Sequence, residues 1–397
     1  MSRCQKMFKW NSGTTYELTI YKLIMWPLGI WPLNRGEIST EIRLILAALT
    51  QAASCICLNF EMWNNCRGLE DLLDIFVLSV FSLLACIKGL IVRYHRDEVY
   101  CHVESAIEDW FDVAEKKNYR DIMTRHAKIG RIVCISLMAP ASGGTLSWIV
   151  FALPLPIFAP ENITEPLRNF PMQTACTFEA IVQSNFYYVV FVVQIYQLVA
   201  TCLGNCGNDV FFFGLAMHVC GQLEILADKF RSVRQQGVEN QQQNFQMLVR
   251  RHGHLIDLSV KLEKTFSLAI LAQLIMSGVL ICIMGLQVIM ALLTGDMFAG
   301  IKASVVLSSL MSQLFLYCYG GDYLTSQNEA LAFAIYQSPW YKDSAREMKK
   351  IGFVINRSNK AIYVTAGKFF CMTLSTFMDI LKLSVSYMSV LRVAMDV

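Results

Sequence analysis

The amino-acid sequence predicts an all-α, polytopic membrane protein of seven transmembrane helices, with a cytoplasmic N-terminus and an extracellular C-terminus. Three observations carry this reading. The 397 residues are 55% hydrophobic and only 16% charged, whereas roughly a quarter of an ordinary soluble domain is charged. The apolar residues gather in runs long enough to cross ~30 Å of hydrocarbon at ~1.5 Å per residue. Lys and Arg are shared very unevenly between alternate connecting segments. Disorder, a collagen-like chain and nucleic-acid binding are excluded by this composition, and the net charge of +3 informs less than the positions of the cations.

The first unit, residues 1–39, is expected to be a cytoplasmic segment with an interfacial helix. Arg3, Lys6 and Lys9 precede the apolar run 18–33, but Lys22 and two prolines interrupt it and no small-residue cleavage site follows, so no cleaved signal peptide is expected. The second unit, 40–319, holds six spans. Residues 132–159, 180–208, 265–294 and 303–321 are uncharged. The run 44–60 has Arg43 at one end, placed to snorkel, and 72–92 is bordered by Asp71 and Asp74 with Lys88 near its far end. The third unit, 320–368, reads as packed cytoplasmic helices with Trp340 and Tyr341 after a Ser338-Pro339 break. The fourth, 369–397, contains a seventh span, 369–391, followed by a short external C-terminus. Asp379 and Lys382 lie in mid-span, so this helix is expected to face protein or water rather than lipid.

Orientation follows from the cations. Segments 1–39, 92–129, 217–264 and 320–368 hold five, seven, seven and seven Lys and Arg; segments 61–71, 153–179, 294–302 and 392–397 hold one each. The rich segments belong in the cytoplasm, the reverse of a G-protein-coupled receptor. The sequon Asn162-Ile163-Thr164 then falls outside, where Asn162 is a candidate for glycosylation, and Asn356-Arg357-Ser358 falls inside. After the fourth span the helical pattern continues through Leu223, Leu226 and Phe230, breaks near Gln235-Gln236-Gly237 and resumes through Leu248, Leu255, Leu258 and Leu262. Both helices should project beyond the bilayer, and their apolar faces pack either within one subunit or between subunits.

Enzyme chemistry is not expected. There is no phosphate loop, nucleophile elbow or H-E-x-x-H motif, all six histidines lie in cytoplasmic segments, and most of the fourteen cysteines sit in apolar runs. Two features carry chemistry. Small residues Ala141, Ser142, Gly143, Gly144 and Ser147, flanked by Pro140 and Trp148, interrupt the outer half of the third span; they permit close helix packing or open a cavity. Asn185, Tyr187, Tyr188 and Gln194 on the fourth span, with Phe76 and Ser79 on the second, are further candidates for such a cavity's wall. On the seventh span Asp379, Lys382, Ser386 and Ser389 form a polar seam that continues to Val393. The seam glues one bundle together, or lines a pore shared by several subunits with an apolar gate such as Val390.

The runs Tyr317-Cys318-Tyr319-Gly320, Ala334-Ile335-Tyr336-Gln337-Ser338-Pro339-Trp340-Tyr341, Thr365-Ala366-Gly367-Lys368-Phe369-Phe370, Ser375-Thr376-Phe377 and Ile380-Leu381-Lys382-Leu383-Ser384-Val385-Ser386-Tyr387, with Gly29-Ile30-Trp31-Pro32 near the N-terminus, form a pattern that resembles the insect odorant receptors. It implies a subunit of a heterotetrameric, ligand-gated, non-selective cation channel in the plasma membrane of olfactory sensory neurons, without cofactor or metal. The seventh helices would surround one pore and the helices around Trp340 and Tyr341 would anchor the subunits. The break near 235–243 is short where the family's co-receptor has a long insertion, so this chain resembles the ligand-tuning subunit, whose partner is that co-receptor. Gustatory receptors are the alternative relatives, but Val393 and Ala394 stand where their ending carries Gln and Phe. A metabotropic receptor or a transporter is a more distant alternative.

Carried over by motif spacing, the resemblance places a small, mostly apolar volatile against Ala141, Gly144 and Trp148; depth alone adds Phe76, Tyr187, Val190 and Ser308. It aligns the gate with Val390 and Ala394, while periodicity points to Ser386, Ser389 and Val393. Ala394 is smaller than the residue common in the co-receptor, so this subunit would contribute a looser ring.

Overall fold

The computed structural model describes residues 10–34, 36–64, 68–153, 170–172, 174, 179–232, 241–338, 340, 345–358, 360 and 362–394. In chain order the elements are α1 (Ser12–Met25), a short 3-10 turn (Pro32–Asn34), α2 (Ile38–Asn64), α3 (Leu69–Tyr94), α4 (Arg96–Asp112), α5 (Lys117–Ala152), α6 (Glu179–Val182), α7 (Tyr187–Ser232), α8 (Gln241–Thr294), α9 (Met297–Gln337), α10 (Ala345–Ser358), a hairpin of β1 (Thr365–Ala366) and β2 (Phe370–Cys371), and α11 (Leu374–Ala394). Helices α2, α3, α5, α7, α8 and α9 are each long and apolar enough to cross a bilayer. Helix α11 has 21 residues, enough to span ~30 Å.

Helix α7 is the axis of the bundle. Residues 204–223 are all buried, and a helix buried on every side belongs in the middle of a core; α1, α3, α5, α8 and α9 pack around it. At 46 residues it is ~69 Å long, roughly twice the hydrocarbon thickness, so its second half projects beyond the bilayer together with α4 and the start of α8. The expected buried faces of these projections are present: Leu223, Leu226, Phe230, Leu255, Leu258 and Leu262 are all core residues.

The N-terminal helix is seated more deeply than an interfacial helix need be. Leu18, Tyr21, Ile24 and Met25 are buried against α5 and α7, while Leu23 and Trp26 on the opposite face stay exposed. Glycines make the seat: a Cβ at Gly214 would stand 2.4 Å from the Tyr21 ring, and one at Gly207 2.5 Å from Ile24. The chain then turns at Gly29, whose φ of +68° favours glycine and whose Cβ would stand 2.4 Å from the Thr40 carbonyl oxygen. This turn buries Trp31 against Phe211.

The hairpin corrects one boundary. Gly367 and Lys368 both have positive φ, β1 and β2 pair antiparallel with Ala366 opposite Phe370, and Phe369 N–H donates to the Ala366 carbonyl at 3.0 Å. The chain is therefore committed to a turn and ladder through Cys371, and the seventh helix begins at Leu374 instead of residue 369, with the Thr373 hydroxyl accepting from Thr376 N–H at 3.2 Å as its cap.

Candidate functional site

A cavity of about 570 Å³ lies between α3, α5, α7 and α9, with Met284 of α8 at its back. Each wall is one helical face. On α3 the lining residues are Asp74, Val77, Leu78 and Phe81, at helical spacing; on α7 they run from Leu198 through Thr201, Cys202 and Asn205 to Cys206; on α9 they run from Ile301 and Lys302 through Val305, Val306 and Ser309 to Gln313. The α5 wall explains the small-residue stretch. A Cβ built on Gly143 or Gly144 meets nothing within 4 Å, so these glycines face open space and not a neighbouring helix.

At the mouth, Lys302 Nζ pairs with the Asp74 carboxylate, and the same ammonium stands 5.9 Å from the centre of the Trp148 ring. A charge over an aromatic face is held there by the ring quadrupole, so ion pair and indole together border the opening. Deeper, the wall turns apolar, and its few polar groups are mostly engaged. Thr145 and Ser147 hydroxyls donate to Ala141 and Gly144 carbonyls at 2.9 and 2.8 Å. The Thr201 hydroxyl lies 2.8 Å from Gln51 Oε1. Gln313 accepts from Gln273 at 2.9 Å and donates to Cys206 Sγ at 3.3 Å. Such a site binds by shape and dispersion, with orientation set by a small number of polar contacts.

Of the residues singled out in the sequence, Ala141, Gly144 and Trp148 line this cavity together. The other four do not. Phe76 packs partly buried against the main core, one position off the Val77 and Phe81 face. Tyr187 and Val190 belong to a separate cluster with Ala152, Phe170 and Phe191 at the start of α7. Ser308 lies on the exposed face of α9 and donates to the Val305 carbonyl at 2.8 Å, while its neighbour Ser309 lines the cavity. Ser308 and Ser309 thus stand at one level of α9 on different faces of the helix.

Helix α11 packs on α8 and α9 along one side only. Phe377 meets Phe315 edge to face at 5.6 Å, and Cys282 Sγ lies 3.7 Å from the Ser384 carbonyl oxygen. Its remaining circumference is open: Ser386, Ser389, Val390, Leu383 and Tyr387 are exposed, and Asp379 and Lys382 pair at 3.7 Å in the open. The side chains of Val393 and Ala394, at the end of the helix, lie outside the described residues, as do Tyr341 and Asn162. Trp340 is half-buried beside α9 and donates Nε1–H to the Tyr336 carbonyl at 3.0 Å.

Two buried polar clusters escaped the sequence reading. Within the bundle, Lys88 and Asp209, both fully buried, pair at 2.6 Å, and the Tyr317 hydroxyl donates to the same carboxylate oxygen. In the projecting part, His218 lies between Glu17 at 3.1 Å and Asp109 at 3.1 Å, Trp110 Nε1–H donates to Glu17, and Arg251 donates to Asp109 and, at 2.9 Å, to Gln222. Burial alone would push the His218 imidazole down; the facing Glu17 and Asp109 carboxylates outweigh it and carry the group up to about 10. Burial likewise raises Asp109, but His218 and Arg251 reverse that and hold its carboxyl below the ordinary range. Nothing local in the sequence brings together α1, α4, α7 and α8; only the fold does.

A bundle of long apolar helices around a half-open, mostly apolar cavity is the architecture of a multi-pass membrane protein. Residues 68–385 match the family model described as 7tm Odorant receptor, and the chain belongs to that family. It is 28% identical over 246 residues to Odorant receptor 13a of Drosophila melanogaster, covering 57% of each chain. It is 25% identical over 241 residues to Odorant receptor 22c of the same fly, covering 56% of this chain and 59% of that one. The matched region thus spans less than two thirds of these relatives. Over the whole molecule the fold is similar to that of the insect olfactory receptor OR5 from Machilis hrabei, with a TM-score of 0.75 at 16% identity over 94% of this chain and 97% of that one. The same receptor in complex with eugenol matches with a TM-score of 0.75 over 96% of this chain and 99% of that one.

Proposed function

We propose that the chain is the odorant-binding, ligand-tuning subunit of a heteromeric cation channel. A small volatile enters the cavity between α3, α5, α7 and α9, and its binding opens a central pore lined by α11 from several subunits. The N-terminus and the segments 92–129, 217–264 and 320–368 lie in the cytoplasm, the C-terminus outside, and the assembly sits in the plasma membrane of olfactory sensory neurons. Ser386, Ser389, Val390, Val393 and Ala394 face the pore or its gate, Trp340 and Tyr341 contribute to the subunit anchor, and Asn162 is available to glycosylation outside. The observation that carries the reading is the cavity itself, whose apolar walls and paired mouth suit an uncharged volatile. The open circumference of α11, polar along one seam and apolar elsewhere, supports a pore helix completed by other subunits.

Burying ~200 Å² of apolar ligand surface at about 25 cal/mol per Å² gives ~5 kcal/mol before the costs of association, which suits rapid, reversible detection. The test is expression with and without the family's co-receptor. Alone, the chain should give little or no odorant-evoked current; with the co-receptor, a panel of volatiles should find agonists, and a tag after Val397 should stain on intact cells. Robust current from the chain alone would overturn the tuning-subunit reading, and a tag that stains only after permeabilisation would overturn the orientation.

A further inference from the structure

We infer that Ser309 sets ligand preference in the cavity, and that the site favours ligands carrying a hydrogen-bond acceptor, carbonyl compounds among them, over hydrocarbons of the same shape. The inference rests on the cavity being the ligand site. Helix α9 presents Lys302, Ser309 and Gln313 to it on one face, with Ser309 two turns below the mouth. Ser309 differs from the hydroxyls around it. Its neighbour Ser308 donates to the Val305 carbonyl at 2.8 Å, and on the facing wall Thr145 and Ser147 donate to carbonyls of their own helix at 2.9 and 2.8 Å. The Thr201 hydroxyl is taken up by Gln51 Oε1 and the Gln197 carbonyl, each at 2.8 Å. Ser309 is half-buried, and among the described residues its hydroxyl has no partner and is not sealed in by protein.

The other polar lining groups are engaged or enclosed. Gln313 is bonded to Gln273 and Cys206; Asn205 donates to the Phe81 carbonyl at 2.6 Å and its oxygen is sealed off. The Lys302 ammonium is held by the Asp74 carboxylate, so a ligand oxygen placed at the mouth competes with a full negative charge for it. Ser309 is left as the free donor inside. A carbonyl oxygen that leaves water for an apolar pocket loses its donors, and the Ser309 hydroxyl returns one. A hydrocarbon of the same outline leaves that hydroxyl unmatched. An apolar wall discriminates weakly between similar shapes, whereas a positioned polar group separates ligands that can pair with it from those that cannot.

The test uses the heteromer with its co-receptor and ketones paired with the alkenes in which a methylene group replaces the carbonyl oxygen: acetophenone with α-methylstyrene, cyclohexanone with methylenecyclohexane, and cyclooctanone with methylenecyclooctane. On the wild type each ketone should activate at lower concentration than its alkene. Ser309→Ala should raise the half-activating concentrations of the ketones about fivefold, the worth of one hydrogen bond, and leave those of the alkenes unchanged; a purely structural role would weaken both alike. Ketones that activate no better than their alkenes on the wild type, or not at all, would overturn the inference, as would a preference that survives in Ser309→Ala at normal surface expression. Lys302→Met with Asp74→Leu removes the mouth pair without stranding a charge and should keep the preference; its loss there, with retention in Ser309→Ala, would put the acceptor at the mouth and overturn the Ser309 assignment. Gly144→Leu separates the inference from the site itself. If it depresses every probe while the wild type fails to separate ketone from alkene, the acceptor preference falls and the cavity stands; if it leaves every response unchanged, the cavity assignment falls and the inference with it.

Discussion

At the scale of single residues, the bundle depends on charges buried in pairs. Lys88 and Asp209 are both fully buried at 2.6 Å, and removing one partner strands the other in a medium that solvates it poorly. Lys88→Met should therefore destabilise the subunit by about 3–5 kcal/mol, read as lost surface expression and early thermal unfolding in detergent, and Lys88→Met with Asp209→Leu should recover much of it. A single variant as stable as the wild type would show that the pair contributes nothing. His218 gives a pH signature of known sign. Its folded value near 10 lies above its ordinary 6.5, so its stabilisation is complete below about 6.5 and is lost as pH rises towards 10. Asp109, held low, acts oppositely: its contribution is present above its ordinary 3.8 and is lost as pH falls through its folded value. Thermal stability of the solubilised protein should decline across the alkaline window, and His218→Gln should flatten that decline; an unchanged slope would remove His218 as its source.

At the scale of elements, the helices that sequence patterning locates best are those with the longest uncharged runs, because a bilayer demands ~20 apolar residues and little else does. Their rotations are harder to read. Ala141, Gly144 and Trp148 line the cavity; the sequence marked them as small residues beside a tryptophan, and their role against a ligand came from the resemblance alone. Phe76 and Ser308 were placed by depth, and each stands beside a residue that does line the cavity; one position on a helix is ~100° of rotation. Asn205 and the Asp74–Lys302 pair were not legible, since their meaning comes from elements far apart in sequence. The start of α11 was hidden by the apolar run 369–371, which a hairpin with two positive-φ residues uses as strand. For α11 itself, exposed Val390 next to the Ser386 and Ser389 seam predicts an apolar gate. Val390→Ser should raise unstimulated current in the heteromer, and substitution of Val393 should alter ion permeability more than ligand choice. Resting current at the wild-type level in Val390→Ser, with changes at Ser386 or Lys382 moving it, would place the gate deeper.

At the scale of the molecule, one long central helix links three levels. Its first part walls the cavity through Thr201, Cys202 and Asn205, its middle holds Asp209 against Lys88 and Tyr317, and its projecting part carries His218 between Glu17 and Asp109. Helix α9 runs beside it, from Lys302 at the mouth through Gln313 to Tyr317, and bears on α11 through Phe315. A ligand that shifts α9 relative to α7 therefore acts on the packing of α11 without a further intermediary. The proposed division of labour between subunits, with ligand choice in this chain and the closed gate set by the co-receptor's bulkier side chains, rests on the resemblance, through the short break near 235–243 and Ala394, because a single chain's pattern does not reveal what its open faces meet.

The most direct test is a structure of the heteromer with an agonist found in the panel. The account predicts ligand density in the cavity between Trp148 and Asn205, with four α11 helices around a common axis. Density instead at the cluster of Phe170, Tyr187 and Phe191, or α11 helices apart from any shared axis, would contradict it.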